Sequence, residues 1–110
     1  MRICISSDFS ATPGARYKSE SGDHSGEVFR ERFLEPRFKE AKKKNEKLLI
    51  DLDGGYGYPT SFLEESFGGL ARIYSPEEVS KVLEFKSEDE PSLIEEILEY
   101  IRNANDVKGK

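Results

Sequence analysis

One stretch, residues 48–70 (LLIDLDGGYGYPTSFLEESFGGL), restricts the fold more than any other part of this 110-residue chain. It starts as the apolar run Leu48-Leu49-Ile50 and continues into Asp51-Leu52-Asp53. A Gly/Tyr loop follows, and the chain restarts as a helix at Thr60-Ser61. Strand, loop and helix amino-terminus in this order form the crevice where α/β proteins place function. Ser61-Phe62-Leu63-Glu64 has the spacing of a capping box, with Glu64 reaching back from the third helical position. Leu63, Phe67 and Leu70 make a buried stripe at helical spacing. Gly68-Gly69 inside a helix costs about 1 kcal/mol per glycine against alanine, so the pair predicts a close approach of another element.

The flanking segments supply the remaining elements. Arg2-Ile-Cys-Ile-Ser6 reads as a short strand. Pro13-Gly14 is a turn, and residues 16–20 read as a second strand returning antiparallel to the first. A helix opens near Ser25, with Glu27 in its first turn and Val28, Phe29 and Phe33 on its apolar face. Pro36 kinks this helix or starts a new segment. Residues 48–53 are the central strand, covered on its apolar start by helices. Ser75-Pro76-Glu77-Glu78 opens a short helix carrying Val79 and Val82. Residues 83–86 read as a strand, and Ile94, Ile97, Leu98 and Ile101 mark a last amphipathic helix. The order β-β-α-β-α-α-β-α predicts an α/β protein with a small mixed sheet of about four strands flanked by about four helices. The crossover from residues 48–53 to 83–86 is expected to be parallel. A single domain over residues 1–104 and a frayed tail over 105–110 follow.

Composition narrows the chemistry. Charged residues are 35% of the chain and the net charge is -5, so it lacks the basic face that a nucleic-acid binder needs. No apolar run reaches the length of a membrane span and no signal sequence opens the chain, which makes a cytoplasmic protein the expectation. The single cysteine, Cys4, sits between isoleucines and reads as a buried structural thiol. The single histidine, His24, stands in a polar loop, so no nucleophile-base arrangement and no metal ligand set forms around it. Asp51 and Asp53 share one face of a strand and read as a polar strand end. The loop lacks the Gly-Lys-Ser/Thr of a phosphate-binding loop. No catalytic residue, metal or cofactor is therefore expected. What remains is a helix start with two hydroxyls, Thr60 and Ser61, and two tyrosines, Tyr56 and Tyr58. A phosphate on Ser61 would add a charge of about -1.5 to -2 beside Glu64, Glu65, Asp51 and Asp53. An alternative reading is a small-molecule or nucleotide sensor, with a ligand phosphate at the Ser61 helix end and Arg16 or Arg30 as counter-charges.

The segment from Leu49 to Leu70, together with Asp8-Phe-Ser-x-x-Pro-Gly-x-Arg16 and Ser25-Gly-Glu-x-Phe-Arg30, resembles the STAS-like domain family (domain of unknown function 4325). The resemblance implies a mixed sheet flanked by helices. It also implies kinship with the anti-sigma-factor antagonists of prokaryotes. These carry an Asp-Ser-Ser-Gly-like motif at this junction, one serine of which is phosphorylated by a histidine-kinase-like ATPase. Strand-to-strand matching puts Ser61 at the modified serine and Thr60 before it, with Pro59 in place of Asp and Phe62 in place of Gly. The implied role is that of a non-catalytic regulatory module. It would dock a protein partner, such as that ATPase, through the Gly54–Ser61 loop and the following helix, with Gly55, Tyr56, Gly57, Tyr58, Ser61, Glu64 and Glu65 as contacts.

Overall fold

A computed structural model describes residues 1–104. Strands β1 (Arg2–Cys4), β2 (Leu48–Asp51) and β3 (Leu83–Lys86) form one sheet in the order β1-β2-β3, with both pairs parallel. The register sets Ile3 beside Ile50, Ile50 beside Phe85 and Leu48 beside Leu83. Side chains alternate along a strand, so these five residues share one face, which is the core face. The opposite face carries Arg2, Cys4, Leu49, Asp51, Glu84 and Lys86. There Arg2 Nη2 donates to Asp51 Oδ2 at 2.5 Å, and the buried carboxylate is also flanked by Lys86. Cys4 lies on this face and is half-buried rather than buried, with its Sγ 3.5 Å from Ser6 Oγ.

Four longer helices follow the strands. Helix α1 covers residues 26–44, α2 residues 60–74, α3 Pro76–Val82 and α4 Ser92–Arg102. Ser25 Oγ caps α1 by accepting the Val28 N–H at 3.1 Å. Pro36 does not break α1. The turn Arg30–Leu34 just ahead of it widens to π spacing, with Glu35 N–H reaching Arg30 O, and Pro36 then enters at the start of the α-helical segment Glu35–Lys44. Asn45, at φ 59°, ends the helix in the left-handed region. A sharp corner at Ser75 (φ 125°) separates α2 from α3. Backbone strain of this kind costs about 1–3 kcal/mol; it is retained here where Ser75 Oγ caps Glu78 N–H at 3.2 Å.

The expected strand at residues 16–20 is not a strand. The chain makes a helical turn over Lys18–Ser21 instead. Tyr17 N–H donates to Glu20 Oε1 at 3.1 Å, Lys18 N–H to Glu27 Oε1 at 2.9 Å and Ala15 N–H to Ser21 Oγ at 2.7 Å. These side chains satisfy the backbone locally and leave nothing for a ladder. The sheet therefore has three parallel strands, not about four mixed ones. Further helical turns at Ile5–Phe9 and Gly22–His24 raise the helical content above the expected four elements.

The core lies between the sheet and α2, which runs between α1 and α4. Phe9, Phe29, Phe33, Phe62 and Phe67 form a connected aromatic cluster, with Phe9–Phe29 centroids 5.1 Å apart and Phe29–Phe62 centroids 5.6 Å apart. Phe67 meets Phe85 edge-on at 5.5 Å and ties α2 to β3. Helices α1 and α2 approach closely at Gly26, where a Cβ would lie 2.8 Å from the Phe62 carbonyl oxygen. Ile97, Ile101 and Ala104 seal the far side of α2. The expected fraying of residues 105–110 lies outside the described residues. Among the described residues no helix is long and apolar enough to cross a membrane.

Candidate functional site

The loop of residues 52–59 leaves the carboxyl end of β2 and is held at several points. Asp53 is its first anchor. Its carboxylate accepts Glu88 N–H at 3.0 Å, Asp89 N–H at 2.9 Å and Lys86 Nζ at 3.1 Å. The backbone hydrogen bonds from Asp89 and Glu88, with Lys86, hold this carboxyl below the ordinary aspartate value. Asp51 Oδ1 accepts the Asp53 N–H at 3.0 Å. The aspartate pair is thus consumed in fastening the strand end. Gly54 (φ 93°) and Gly57 (φ 127°) adopt backbone conformations that favour glycine. Tyr56 N–H donates to Ala11 O at 2.9 Å, and Tyr58 Oη donates to Leu52 O at 2.8 Å.

The two tyrosines differ sharply. Tyr56 is 88% exposed. Tyr58 packs on Phe62 with ring centroids 6.1 Å apart, and burial pushes its phenol up from the usual value. Tyr58 fixes the loop, whereas Tyr56 projects from it.

Helix α2 starts two residues earlier than the capping pattern predicts. Its N-cap is Pro59, whose carbonyl accepts Phe62 N–H at 3.1 Å and Leu63 N–H at 3.2 Å. Thr60 is exposed and Ser61 is partly exposed in the first turn, and neither caps the helix through its side chain. Glu64 is not the partner of a cap. It accepts from Arg16 Nη1 at 2.5 Å and from Arg72 Nη1 at 2.6 Å. Burial by itself would raise the Glu64 carboxyl, but the hydrogen bonds from Arg72 and Arg16 outweigh it and hold the group below its ordinary value. Glu65, 8% exposed, accepts from Arg30 Nη2 at 3.0 Å and Arg16 Nη1 at 3.2 Å.

The structure therefore joins Arg16, Arg30, Glu64 and Glu65, with Arg72 as a member that the sequence reading did not single out. The network lies beside an open cleft of about 600 Å³ that Tyr17, Tyr100 and Asn103 also line. It is built over another π turn, Glu64–Gly68, in which Gly69 N–H reaches Glu64 O. Gly68 and Gly69 make room for these charges: a Cβ on Gly68 would lie 2.6 Å from Glu64 Oε2, and one on Gly69 2.9 Å from Arg30 Nε. The expected close approach is real, but what approaches is a pair of charged side chains. Arg16 and Arg30 face carboxylates and are not aimed together at Ser61. The four acidic groups expected around a modified Ser61 are all paired: Asp51 with Arg2, Asp53 with Lys86, and both glutamates with arginines. His24 lies at the surface with its ring 6.3 Å from Phe9.

The family model described as a STAS-like domain of unknown function (DUF4325) matches residues 25–93, more than half of the chain. The chain belongs to this STAS-like family. The match takes in α1, β2, the tyrosine loop, α2, α3 and β3, so the candidate site falls inside the family's own domain except for its residues before 25, Arg16 and Tyr17 among them, and those after 93. The Asp8–Arg16 motif lies upstream of the matched residues. Searches of the curated proteins and of the solved structures gave no match.

Proposed function

We propose that this STAS-like domain is a non-catalytic regulatory module that docks a protein partner through residues 54–61 and the first turn of α2. The observation that carries this reading is Tyr56: an aromatic ring almost fully in water, on a loop whose backbone is fixed on both sides of it. Large rigid aromatics of this kind are favoured interface anchors. Gly55 and Gly57 flank the ring, Ser61 and Thr60 stand beside the loop, and Glu64 supplies charge at the rim. Tyr58 and Glu65 support this surface from within. The most exposed parts of α2 lie at its two ends, so the docking surface is the loop and the first turn rather than the length of the helix. Kinship with anti-sigma-factor antagonists makes a histidine-kinase-like ATPase in a prokaryotic cytoplasm the first partner to test. Pull-down with such an ATPase is expected to fail for Tyr56→Ala at unchanged fold; undiminished capture by the folded variant would remove this surface from consideration.

A phosphoswitch at Ser61 is the second element of the proposal. It is favoured by a hydroxyl that lies in the first turn and does not cap the helix, so modification would not remove a cap. Because the neighbouring carboxylates are neutralised, the added charge would act mainly on the partner's surface and on the helix amino-terminus. Intact mass after incubation with the ATPase and ATP is expected to rise by one phosphate in the wild type and not in Ser61→Ala. A phosphate-ligand sensor is less well supported, since Arg16 and Arg30 already face Glu64 and Glu65.

A further inference from the structure

The two edges of the sheet are finished differently. In β1, Leu49 N–H donates to Met1 O at 2.9 Å, so alternate residues turn toward β2 and the backbone groups of Arg2 and Cys4 point outward. Both sides of that edge are closed by side chains. Cys4 N–H donates to Asp8 Oδ2 at 2.8 Å, and the Arg2 carbonyl accepts from Arg37 Nη1 at 3.2 Å. In β3, Leu52 N–H donates to Lys86 O at 2.8 Å, so Glu84 and Lys86 face β2 and Phe85 faces out. Leu83 N–H is taken by Val79 O. Among the described residues nothing meets the N–H or the carbonyl of Phe85. An edge with unused backbone groups is a template for another strand.

We infer that β3 pairs with β3 of a second copy of this chain, antiparallel, about a two-fold axis at Phe85. Antiparallel pairing sets directly opposite residues on one face. Centred on Phe85, it lets the two Phe85 residues exchange N–H and carbonyl in a hydrogen-bonded pair. It also sets each Glu84 opposite Lys86 of the other copy and brings the two Phe85 side chains together on the core side. Centring on Glu84 or on Lys86 instead sets like charges opposite each other and uses backbone groups that β2 already occupies. Registers offset by one residue turn the core face of one sheet against the polar face of the other. The strand Leu-Glu-Phe-Lys is thus self-complementary in one register. A closed two-fold contact of this type yields a dimer with a continuous six-stranded sheet in which only the closed β1 edges remain outermost. A strand of this length covers less than the roughly 1,200 Å² of a stable complex, so the dimer forms in a concentration-dependent way.

Sedimentation equilibrium from micromolar to millimolar protein, paired with amide exchange by NMR, tests this. The mass is expected to rise from one chain toward two, with exchange at the Phe85 amide slowing as it does so. Glu84→Lys sets lysine opposite lysine in both contacts and is expected to weaken association about tenfold. Mixing it with Lys86→Glu sets unlike charges opposite again and is expected to restore pairing. Should Lys86→Glu fail to fold, the Phe85 exchange and the Glu84→Lys shift decide alone. A monomer across the whole range, a dimer that leaves Phe85 exchange unchanged, or undiminished association of Glu84→Lys would each overturn the inference.

Discussion

The first turn of α2 and the turn that follows it are built in opposite ways. The first presents Thr60 and Ser61 with no side-chain cap and stands beside a tyrosine in open water. The second, Glu64–Gly68, is clasped by arginines from three places in the chain and is closed over by α1 and α4. Residue type alone suggests the reverse, with a hydroxyl that caps and acidic groups that recognise. The contrast shows that position relative to long-range partners decides which polar groups hold the fold and which remain available to other molecules.

Several changes would break or sharpen this contrast. The largest effect is expected from Glu65→Ala, which leaves Arg30 buried without its carboxylate and is expected to cost about 3–5 kcal/mol in chemical denaturation. Gly26→Ala pushes a Cβ against the Phe62 carbonyl where α1 crosses α2, with an expected loss of about 1–3 kcal/mol; a neutral result would mean that the helices separate at little cost. Acid addresses the same clasp. The Glu64 carboxyl is held below its ordinary value in the folded chain, so its contribution is complete above the usual glutamate range and is lost as pH falls through its lower folded value. Arg72→Met, which removes one of the two guanidinium groups responsible, is expected to flatten the acid limb of a stability-versus-pH profile. The smallest effects belong to the open turn. Tyr58→Phe is expected to lose about 1 kcal/mol with its hydrogen bond to Leu52. Tyr56→Ala and Ser61→Ala are expected to stay within about 0.5 kcal/mol of the wild type. A Ser61→Ala loss near 1 kcal/mol would restore Ser61 as a cap and erase the contrast.

Much of the fold was legible because it rests on local periodicity. Leu63, Phe67 and Leu70 marked α2, Ile97 and Ile101 marked α4, and Ser75 with Pro76 marked the start of α3 where it is found. Residues 16–20 failed because Glu20, Ser21 and Glu27 bind nearby backbone, a competition that β-propensity does not register. The Ser61–Glu64 capping pattern failed because its glutamate is claimed by Arg16, 48 positions away. The loop itself was legible from its glycines, but the split between Tyr56 and Tyr58 was not. It depends on which ring reaches Phe62, and spacing along a loop carries no such information. The one local hint of the clasp was the glycine pair, which announced that something bulky lay alongside without saying that it was charged.

The hydrogen bonds that hold the loop also bear on how quickly and how tightly it can be recognised. With Tyr56 N–H tied to Ala11 and Tyr58 tied to Leu52, the backbone on both sides of the exposed ring is already ordered before any encounter. A partner would immobilise one aromatic side chain with two torsions instead of a whole loop, so little conformational entropy is lost on docking. Recognition at such a point is close to lock-and-key. Variation in affinity among partners should then appear in how long the complex lasts more than in how fast it forms.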